Sequence, residues 1–309
     1  MSAVLVTGAN GFVGRHLVPA LHEQSHQVMG VMRTDDATIA ERLTHTWPTL
    51  GLIADDLRDV DTVIHLAGMA HAPAQGADRA ALFNVNVDQS VNLYRQAVAA
   101  GVRRFIWLSS IKVLGDRSAG PLSVDAPYLP GDDYAASKVD AEKCLLAEPA
   151  GDTALCIVRP PLVYGPGVKA NFLSMLRYAT SVWPLPLASA LAPRAWLGVH
   201  NLVDLLLHLL ENELVVEPRI WHVRDAEESS VRDMLELIAT QAGHKLKLWR
   251  CPPALAMGGA SLIGQGARAA RLFEPLQVDM QQTESLLGWQ PPHSQAQQIE
   301  ETVGWYQSC

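Results

Sequence analysis

The chain predicts an α/β fold: a doubly wound parallel sheet with a smaller, partly interleaved C-terminal α/β domain. Three observations carry this reading. Short apolar runs alternate with helix-period stretches, which implies parallel strands with crossover helices on both faces. A glycine-rich turn, Thr7-Gly8-Ala9-Asn10-Gly11-Phe12-Val13-Gly14, joins the first strand to the first helix. After Pro160-Pro161 the alternation loosens and prolines at 166, 184, 186 and 193 cut the chain into short pieces.

Val4, Leu5 and Val6 form the first strand, and Phe12, Leu17, Val18 and Leu21 then recur at helical spacing. Residues 27–32 give a second strand and 61–66 another. Residues 86–100 read as a helix with Val87, Val91, Leu93, Tyr94 and Val98 on or near its buried side and Gly101 as its C-cap. A strand at 104–108, a helix at 134–147 and a strand at 155–158 follow. The runs Val-Ile-His-Leu and Phe-Ile-Trp-Leu fit burial on both faces of a sheet. A helix resumes at 202–210, then a strand at 220–223. Another helix spans 230–242, with Ser229 or Ser230 as its N-cap and Gly243 as its stop. Helical pieces and turns close the chain.

Of 309 residues, 24 are Lys or Arg and 32 are Asp or Glu, a net charge of -8 that argues against nucleic acid as a partner. Cys144, Cys156, Cys251 and Cys309 share no CxxC or CxxH spacing, so reduced thiols and a cytoplasmic location are expected. No signal peptide or integral membrane segment is read. The apolar stretch 202–210 is short and carries Asp204 and His208, while 254–263 is broken by glycine. The eleven histidines form no metal-binding spacing, so no metal is expected. His65 reads as a packed strand residue, His71 as a loop residue facing the cleft, and the eight tryptophans as core or domain-interface residues, with Trp183 or Trp196 open as a substrate contact.

The turn at Gly8, Gly11 and Gly14 suits a pyrophosphate. One glycine allows positive φ, another lets backbone approach the diphosphate, and the third lets helix and strand pack closely. The helix N-terminus offers unpaired N–H groups to the anion. A dinucleotide site commonly carries an acid at the end of the second strand for the ribose 2′-hydroxyl, or an arginine for a 2′-phosphate. Here that strand ends Met32-Arg33-Thr34, so Arg33 favours NADP(H), and Asp35 and Asp36 keep NAD(H) open.

Tyr134 and Lys138 lie four apart on one helix, a spacing that sets an ammonium near a phenol. A neighbouring cation favours the ionised phenol, which can then exchange a proton with a substrate oxygen. Ser110 follows the 104–108 strand, where doubly wound sheets bind ligands.

With these motifs the chain resembles an extended short-chain dehydrogenase/reductase of the nucleotide-sugar epimerase/dehydratase group. The resemblance rests on T-G-A-N-G-F-V-G, His65-Leu66-Ala67-Gly68, Leu108-Ser109-Ser110, Y-A-A-S-K, the run from Arg159 to Gly167 and the closing L-G-W-Q-P-P. Ser110-Ile111-Lys112-Val113 and residues 161–172 are similar to a bacterial surface-polysaccharide branch. That branch holds UDP-4-keto-6-deoxy-N-acetylglucosamine reductases and UDP-glucose 4-epimerase-like proteins, serving O-antigen and lipopolysaccharide synthesis.

The resemblance implies a Rossmann-type NAD(P)-binding domain over 1–165 plus about 199–224, and a nucleotide-sugar-binding domain over 166–198 and 225–309. It implies Tyr134 as acid/base, Lys138 on the nicotinamide ribose and Ser110 on the sugar oxygen. Gly8, Asn10, Gly11, Phe12, Val13, Gly14, Leu66, Ala67, Gly68 and Pro161 would line the cofactor, and Asn171 and Arg194 the diphosphate of a UDP-sugar. Asn86 matches a family asparagine, with a local structural hydrogen bond as the alternative. A homodimer through paired helices, including the Tyr134 helix, is also implied.

The chain departs from the family at three points. Met32 replaces the ribose acid. Asp55-Asp56-Leu57 sits too close to Asp61 for a crossover helix, so neither Asp is assigned to adenine. Leu162 replaces an asparagine that touches substrate in many epimerases. The expected activity is 4-keto reduction of a UDP-4-keto-6-deoxy-N-acetylhexosamine. A UDP-glucose or UDP-N-acetylglucosamine 4-epimerase with retained NAD is the alternative, and a non-catalytic NADP(H)-binding regulator a further one.

Overall fold

Seven parallel strands make the central sheet: β1 (Ala3–Thr7), β2 (Gln27–Val31), β3 (His45–Trp47), β4 (Thr62–His65), β5 (Arg104–Leu108), β6 (Ala154–Arg159) and, later in the chain, Arg219–His222. Their spatial order is β3-β2-β1-β4-β5-β6 and then Arg219–His222 at the far edge. The chain therefore runs outward from β1 through β2 to β3 and restarts on the other side of β1 with β4. Ligands bind beyond the strand C-termini at such a switch point. The computed structural model describes residues 2–32, 34, 36–47, 49–70, 78–212, 219–252, 254 and 266–309.

The inner strands β1, β4, β5 and β6 are buried on both faces, and alternate residues feed two cores. Val4, Val6, Ile64 and Ile106 pack with Leu17, Val18 and Leu21 of α1 (Gly14–Glu23) on one side. Leu5, Val63, Phe105 and Trp107 pack on the other. Between β2 and β3 lies the single-turn α2 (Ala37–Ala40), and between β3 and β4 a 3-10 turn, Ala54–Leu57. Asp56 caps that turn by accepting from the Ile53 N–H at 2.9 Å, and Asp55 pairs with Arg58 at 2.7 Å. The β3 strand was not read from the sequence, because it is a half-polar, three-residue edge.

The helix expected from residue 86 begins earlier: α3 (Asp78–Phe83) runs through a π-helical turn at Asn84–Asp88 into α4 (Gln89–Ala100). Gly101 ends it at φ +76, the left-handed stop expected there. Next, α5 (Asp133–Ala147) starts one residue before Tyr134, capped by Asp132, whose carboxylate accepts from the Ala135 N–H at 2.8 Å. Val91 and Leu93 of α4 and Ala141 and Leu145 of α5 cover the second core.

Beyond the sheet, β7 (Leu162–Tyr164) is followed by α6 (Ala170–Ala179), β8 (Pro193–Arg194), β9 (Trp196–Gly198) and α7 (Val199–Glu211). Strand β10 is Arg219–His222, followed by β11 (Ser229–Ser230) and α8 (Val231–Gln241). Then come α9 (Gly266–Phe273), α10 (Gln281–Leu287) and α11 (Gln295–Ser308). Leu202, Leu205, Leu206 and Leu209 of α7 join the first core beside α1. Ser230 caps α8 in a reciprocal box with Asp233. A separate core gathers Phe172 and Leu176 of α6, Met234 and Ile238 of α8, and Ile299 and Val303 of α11. β7 pairs with β9 and β8 with β11; at two or three residues each, they left no period in the sequence.

Candidate active site

The glycine turn sits at the switch point. Gly8 takes φ +69, and its N–H donates to Val31 O at 3.0 Å. A Cβ on Gly8 would lie 3.1 Å from Ala67 N, so the turn lies hard against the 66–68 segment after β4. A Cβ on Gly14 would lie 2.4 Å from Gly8 O and 2.5 Å from Ala9 O. No side chain caps α1, and in its first turn Arg15 N–H donates to Gly11 O and the His16 and Leu17 N–H groups to Val13 O, at 3.0 Å each, so an anion is met by the turn that precedes them. This cradle, which side chains would fill, fits a dinucleotide pyrophosphate.

At the end of β2, Met32 is buried. Arg33 and Asp35, like His71, lie outside the described residues. A different cation stands there: Arg15 pairs with Asp36 at 2.5 Å and donates to Asn10 O at 3.0 Å. Asn10 in turn donates to Thr34 O at 2.9 Å. Arg15 was passed over in the sequence, although its place directly after the third glycine was a usable signal.

Under the turn, a buried polar chain ties β1 to β4 and α4. His65 Nδ1 lies 2.6 Å from Thr7 Oγ1 and its Nε2 2.9 Å from Ser90 Oγ, while Ala67 N–H donates to Thr7 Oγ1 at 3.1 Å. Burial, helped by the Lys138 charge, pushes the imidazole down to about 3, so it stays neutral. Asn86, in the π-helical turn, accepts from Met69 N–H at 2.8 Å and donates to Met69 O and Ser137 Oγ at 3.0 and 2.9 Å. Its observed bonds are thus structural: they hold the 66–69 segment against α5.

Ser110, Tyr134 and Lys138 come together at the β5 end of this cleft. Ser110 caps the 3-10 turn Ile111–Leu114, accepting from Lys112 N–H at 3.3 Å, and its hydroxyl stands near enough to the Tyr134 phenol to favour that group's ionised form. Lys138 Nζ donates to Leu108 O at 2.9 Å and lies 4.4 Å from the Trp107 ring centroid. It is 3.5 Å from where a Gly68 Cβ would stand, so the lysine, the glycine loop and the serine border one space.

The phenol is tuned differently from the sequence expectation. Burial pushes Tyr134 up to about 12; the Ser110 hydroxyl opposes this and the Asp132 charge adds to it. In this resting arrangement the Lys138 ammonium is engaged by the Leu108 carbonyl and the Trp107 face. Burial pulls Lys138 itself down to about 8, against the charge of Glu142 one turn on. Glu142 is buried, receives Arg159 through two bonds at 3.0 and 2.6 Å, and accepts from Ser109 Oγ at 2.5 Å and Tyr128 OH at 2.8 Å. This base fixes α5 to β5 and β6.

On the substrate side, Pro161 is buried between β6 and β7, and Asn171 is exposed in the first turn of α6. Arg194 is half-buried rather than a free surface charge, donating to Arg271 O and Glu274 O at 2.7 Å each. Lys112 pairs with Asp132 and stands 5.7 Å from the Tyr134 ring, while Arg271 pairs with Asp116 at 3.0 Å. No sequence motif marked this ion cluster. Trp196 is buried and donates to Ser229 O at 2.9 Å, so its part is structural, and Trp183 is on the surface. Among the described residues no His, Cys, Asp and Glu group could hold a metal ion, and no helix is long and apolar enough to cross a membrane.

Residues 4–223 match the NAD dependent epimerase/dehydratase family. The chain belongs to this family. It is 32% identical over 314 residues to UDP-glucose 4-epimerase of Vibrio cholerae, covering 97% of this chain and 94% of the relative. To GDP-6-deoxy-D-mannose reductase of Pseudomonas aeruginosa it is 26% identical over 264 residues, 81% of this chain and 83% of that one. In fold it is similar to UDP-glucuronic acid 4-epimerase from Bacillus cereus in complex with NAD: TM-score 0.80 at 20% identity, over 99% and 97% of the two chains. The parallel seven-stranded sheet and its flanking helices are therefore those of the epimerase/dehydratase family.

Proposed function

We propose that this member of the family is an NAD(P)-dependent oxidoreductase acting at C4 of a UDP-linked hexose. Its reaction is the reduction of a UDP-4-keto-6-deoxy-N-acetylhexosamine for bacterial surface polysaccharide, such as O-antigen, in the cytoplasm. The observation that carries the reading is the Tyr134 phenol. Half-buried, beside Ser110 and pushed up to about 12, it is a loaded proton donor at neutral pH.

Ser110 Oγ and the Tyr134 hydroxyl hold the C4 keto oxygen. As C4 takes up hydride, the Tyr134 proton moves to the developing alkoxide, and the Lys138 charge steadies the phenolate left behind. When bound, the reduced nicotinamide supplies that hydride. Gly8, Asn10, Gly11, Phe12, Val13 and Gly14 hold its pyrophosphate, with Leu66, Ala67, Gly68 and Pro161 flanking the ring and riboses. Met32 has no group to accept a ribose hydroxyl. NADP(H) is favoured, with Arg15 and Arg33 as cations for the 2′-phosphate; Asp36 speaks for NAD(H). Asn171 and Arg194 hold the UDP diphosphate. The sugar-binding unit is 166–198 with 225–309, set on the 1–165 and 199–224 unit, and α4 and α5 pair two copies into a dimer.

The second reading is a UDP-sugar 4-epimerase, favoured by the full-length likeness to the Vibrio cholerae enzyme. There Tyr134 takes the proton of the C4 hydroxyl as the C4 hydride passes to bound NAD; after the 4-ketosugar turns over, the hydride returns to the opposite face of C4 and Tyr134 returns the proton to the oxygen, with no net redox change. Denaturing the purified protein and identifying any released dinucleotide tests the choice. The reductase reading expects little retained NAD and stoichiometric NADPH consumption with a UDP-4-ketosugar. Retained NAD with redox-neutral interconversion selects the epimerase. Dinucleotide binding with no turnover of any nucleotide sugar selects the regulator.

A further inference from the structure

The charge of this chain is unevenly placed. Residues 153–203 and 237–273 contain nine Lys or Arg and no Asp or Glu, so the rest of the chain carries all 32 acids against 15 bases. The two segments meet in a short backbone pairing of 185–188 with 247–249. Leu185 N–H donates to Lys247 O at 2.8 Å, Trp249 N–H to Leu185 O at 3.0 Å and Ala188 N–H to Trp249 O at 3.3 Å. The inward residues Leu185, Leu187 and Leu246 pack on the α6/α8/α11 core.

What this strap leaves outside is apolar and aromatic. Trp183 and Val182 are 74% exposed, Tyr178 56% and Trp249 50%. Arg177, Lys245, Lys247 and Arg250, all exposed, lie between and beside them. Lone exposed apolar residues are ordinary, but a grouped set ringed by cations marks an interaction face. Tryptophan and tyrosine settle at the headgroup level of a bilayer, and lysine and arginine beside them bind anionic lipid.

We propose that this aromatic and basic strap docks the protein peripherally on a bilayer carrying anionic phospholipid headgroups. Charge complementarity identifies the occupant: a net-negative protein meets an anionic surface most readily through the exposed cations of these two acid-free segments. The indole and phenol rings enter the interface, the four cations sit over lipid phosphates, and the catalytic cleft stays in water. The inference does not depend on which sugar is turned over.

The test is flotation of the full chain with phosphatidylcholine vesicles with and without phosphatidylglycerol, together with tryptophan fluorescence. Binding to the phosphatidylglycerol vesicles alone, a blue-shifted emission and release by high salt are expected. Lys245→Glu, Lys247→Glu and Arg250→Glu should each weaken binding about five-fold or more. Trp183→Ser with Trp249→Ser should remove the blue shift. The substituted side chains are exposed, and far-UV circular dichroism with a wild-type thermal unfolding midpoint reports that the variants are folded. Equal binding to both vesicles, binding to neither, or binding that survives all three charge reversals would overturn the proposal. So would concentration-dependent self-association lost in Trp183→Ser, which would make the strap a contact between copies.

Discussion

Tyr134 and Lys138 sit one helical turn apart and are moved by the same burial in opposite senses, the phenol up to about 12 and the ammonium down to about 8. Each is shifted toward its neutral form, which is what desolvation does to an acid and to a cation. The proton-donating direction is therefore ready at neutral pH. Replacing Tyr134 with Phe should cut turnover by about 10²–10⁴-fold, the range for a positioned general acid. Dinucleotide affinity, measured by calorimetry, should be unchanged. Lys138 is charged below about pH 8, so kcat/KM should fall as pH rises through that value, and Lys138→Met should lack that limb. A profile flat to pH 10 in the wild type would contradict the assignment. The trio itself was legible, since spacing on a helix and a place after a strand are one-dimensional facts. Its tuning was not: burial, the Asp132 charge and the engagement of Lys138 by Leu108 exist only in the folded chain. Arg15 stands in plain view after the third glycine, but its pairing with Asp36, 21 positions away, exists only in the folded chain.

Elements with a strong period or a clear cap were readable, such as α1, α8 with its Ser230 box, and the Gly101 stop. The π-helical turn at 84–88 was not, because one extra residue per turn leaves no mark in an apolar pattern. Nor were β3 and the two- and three-residue strands around Arg194. The glycine turn gives a sharp test. In Gly14→Ala the new methyl meets the Gly8 and Ala9 carbonyl oxygens, backbone atoms with nowhere to go. We expect a loss of about 1–3 kcal/mol in stability and a large loss of dinucleotide affinity, read by denaturant unfolding and titration. Beneath α5, Glu142 and Arg159 form a buried ion pair at 2.6 Å. Removing either partner should cost about 3–5 kcal/mol, whereas the apolar double replacement Glu142→Leu with Arg159→Met should cost less than the two singles summed. Strict additivity would show that the two groups are not coupled.

For the whole molecule, the order of the strands decides where chemistry happens. The restart of the chain beside β1 puts Gly8, Ala67, Ser110 and Lys138 around one opening, although they span 131 residues of sequence. The alternation of strand and helix made that topology readable; how the later segments pack on it could not be read, because their pieces are short. The buried imidazoles link this architecture to acid stability. His65 is held at about 3 and His222 at about 4, both pushed down chiefly by burial, against 6.5 when free. The unfolded chain takes up protons below pH 6.5 that the native state refuses. Stability from these groups is complete above 6.5 and declines toward the folded values as pH falls, by about 1.4 kcal/mol per pH unit for each. Unfolding free energies between pH 7 and 4 should show that slope, and a flat profile would contradict it. The central claim is that a proton from Tyr134 and a hydride from the nicotinamide meet at C4 of the same sugar. The most direct measurement supplies NADPH deuterated at the transferring carbon with a UDP-4-keto-6-deoxy-N-acetylhexosamine and reads the product by mass spectrometry and NMR. One deuterium at C4 in the wild type, and almost none in Tyr134→Phe over the same time, is the expected result; an unlabelled product, or equal labelling in the variant, would contradict it.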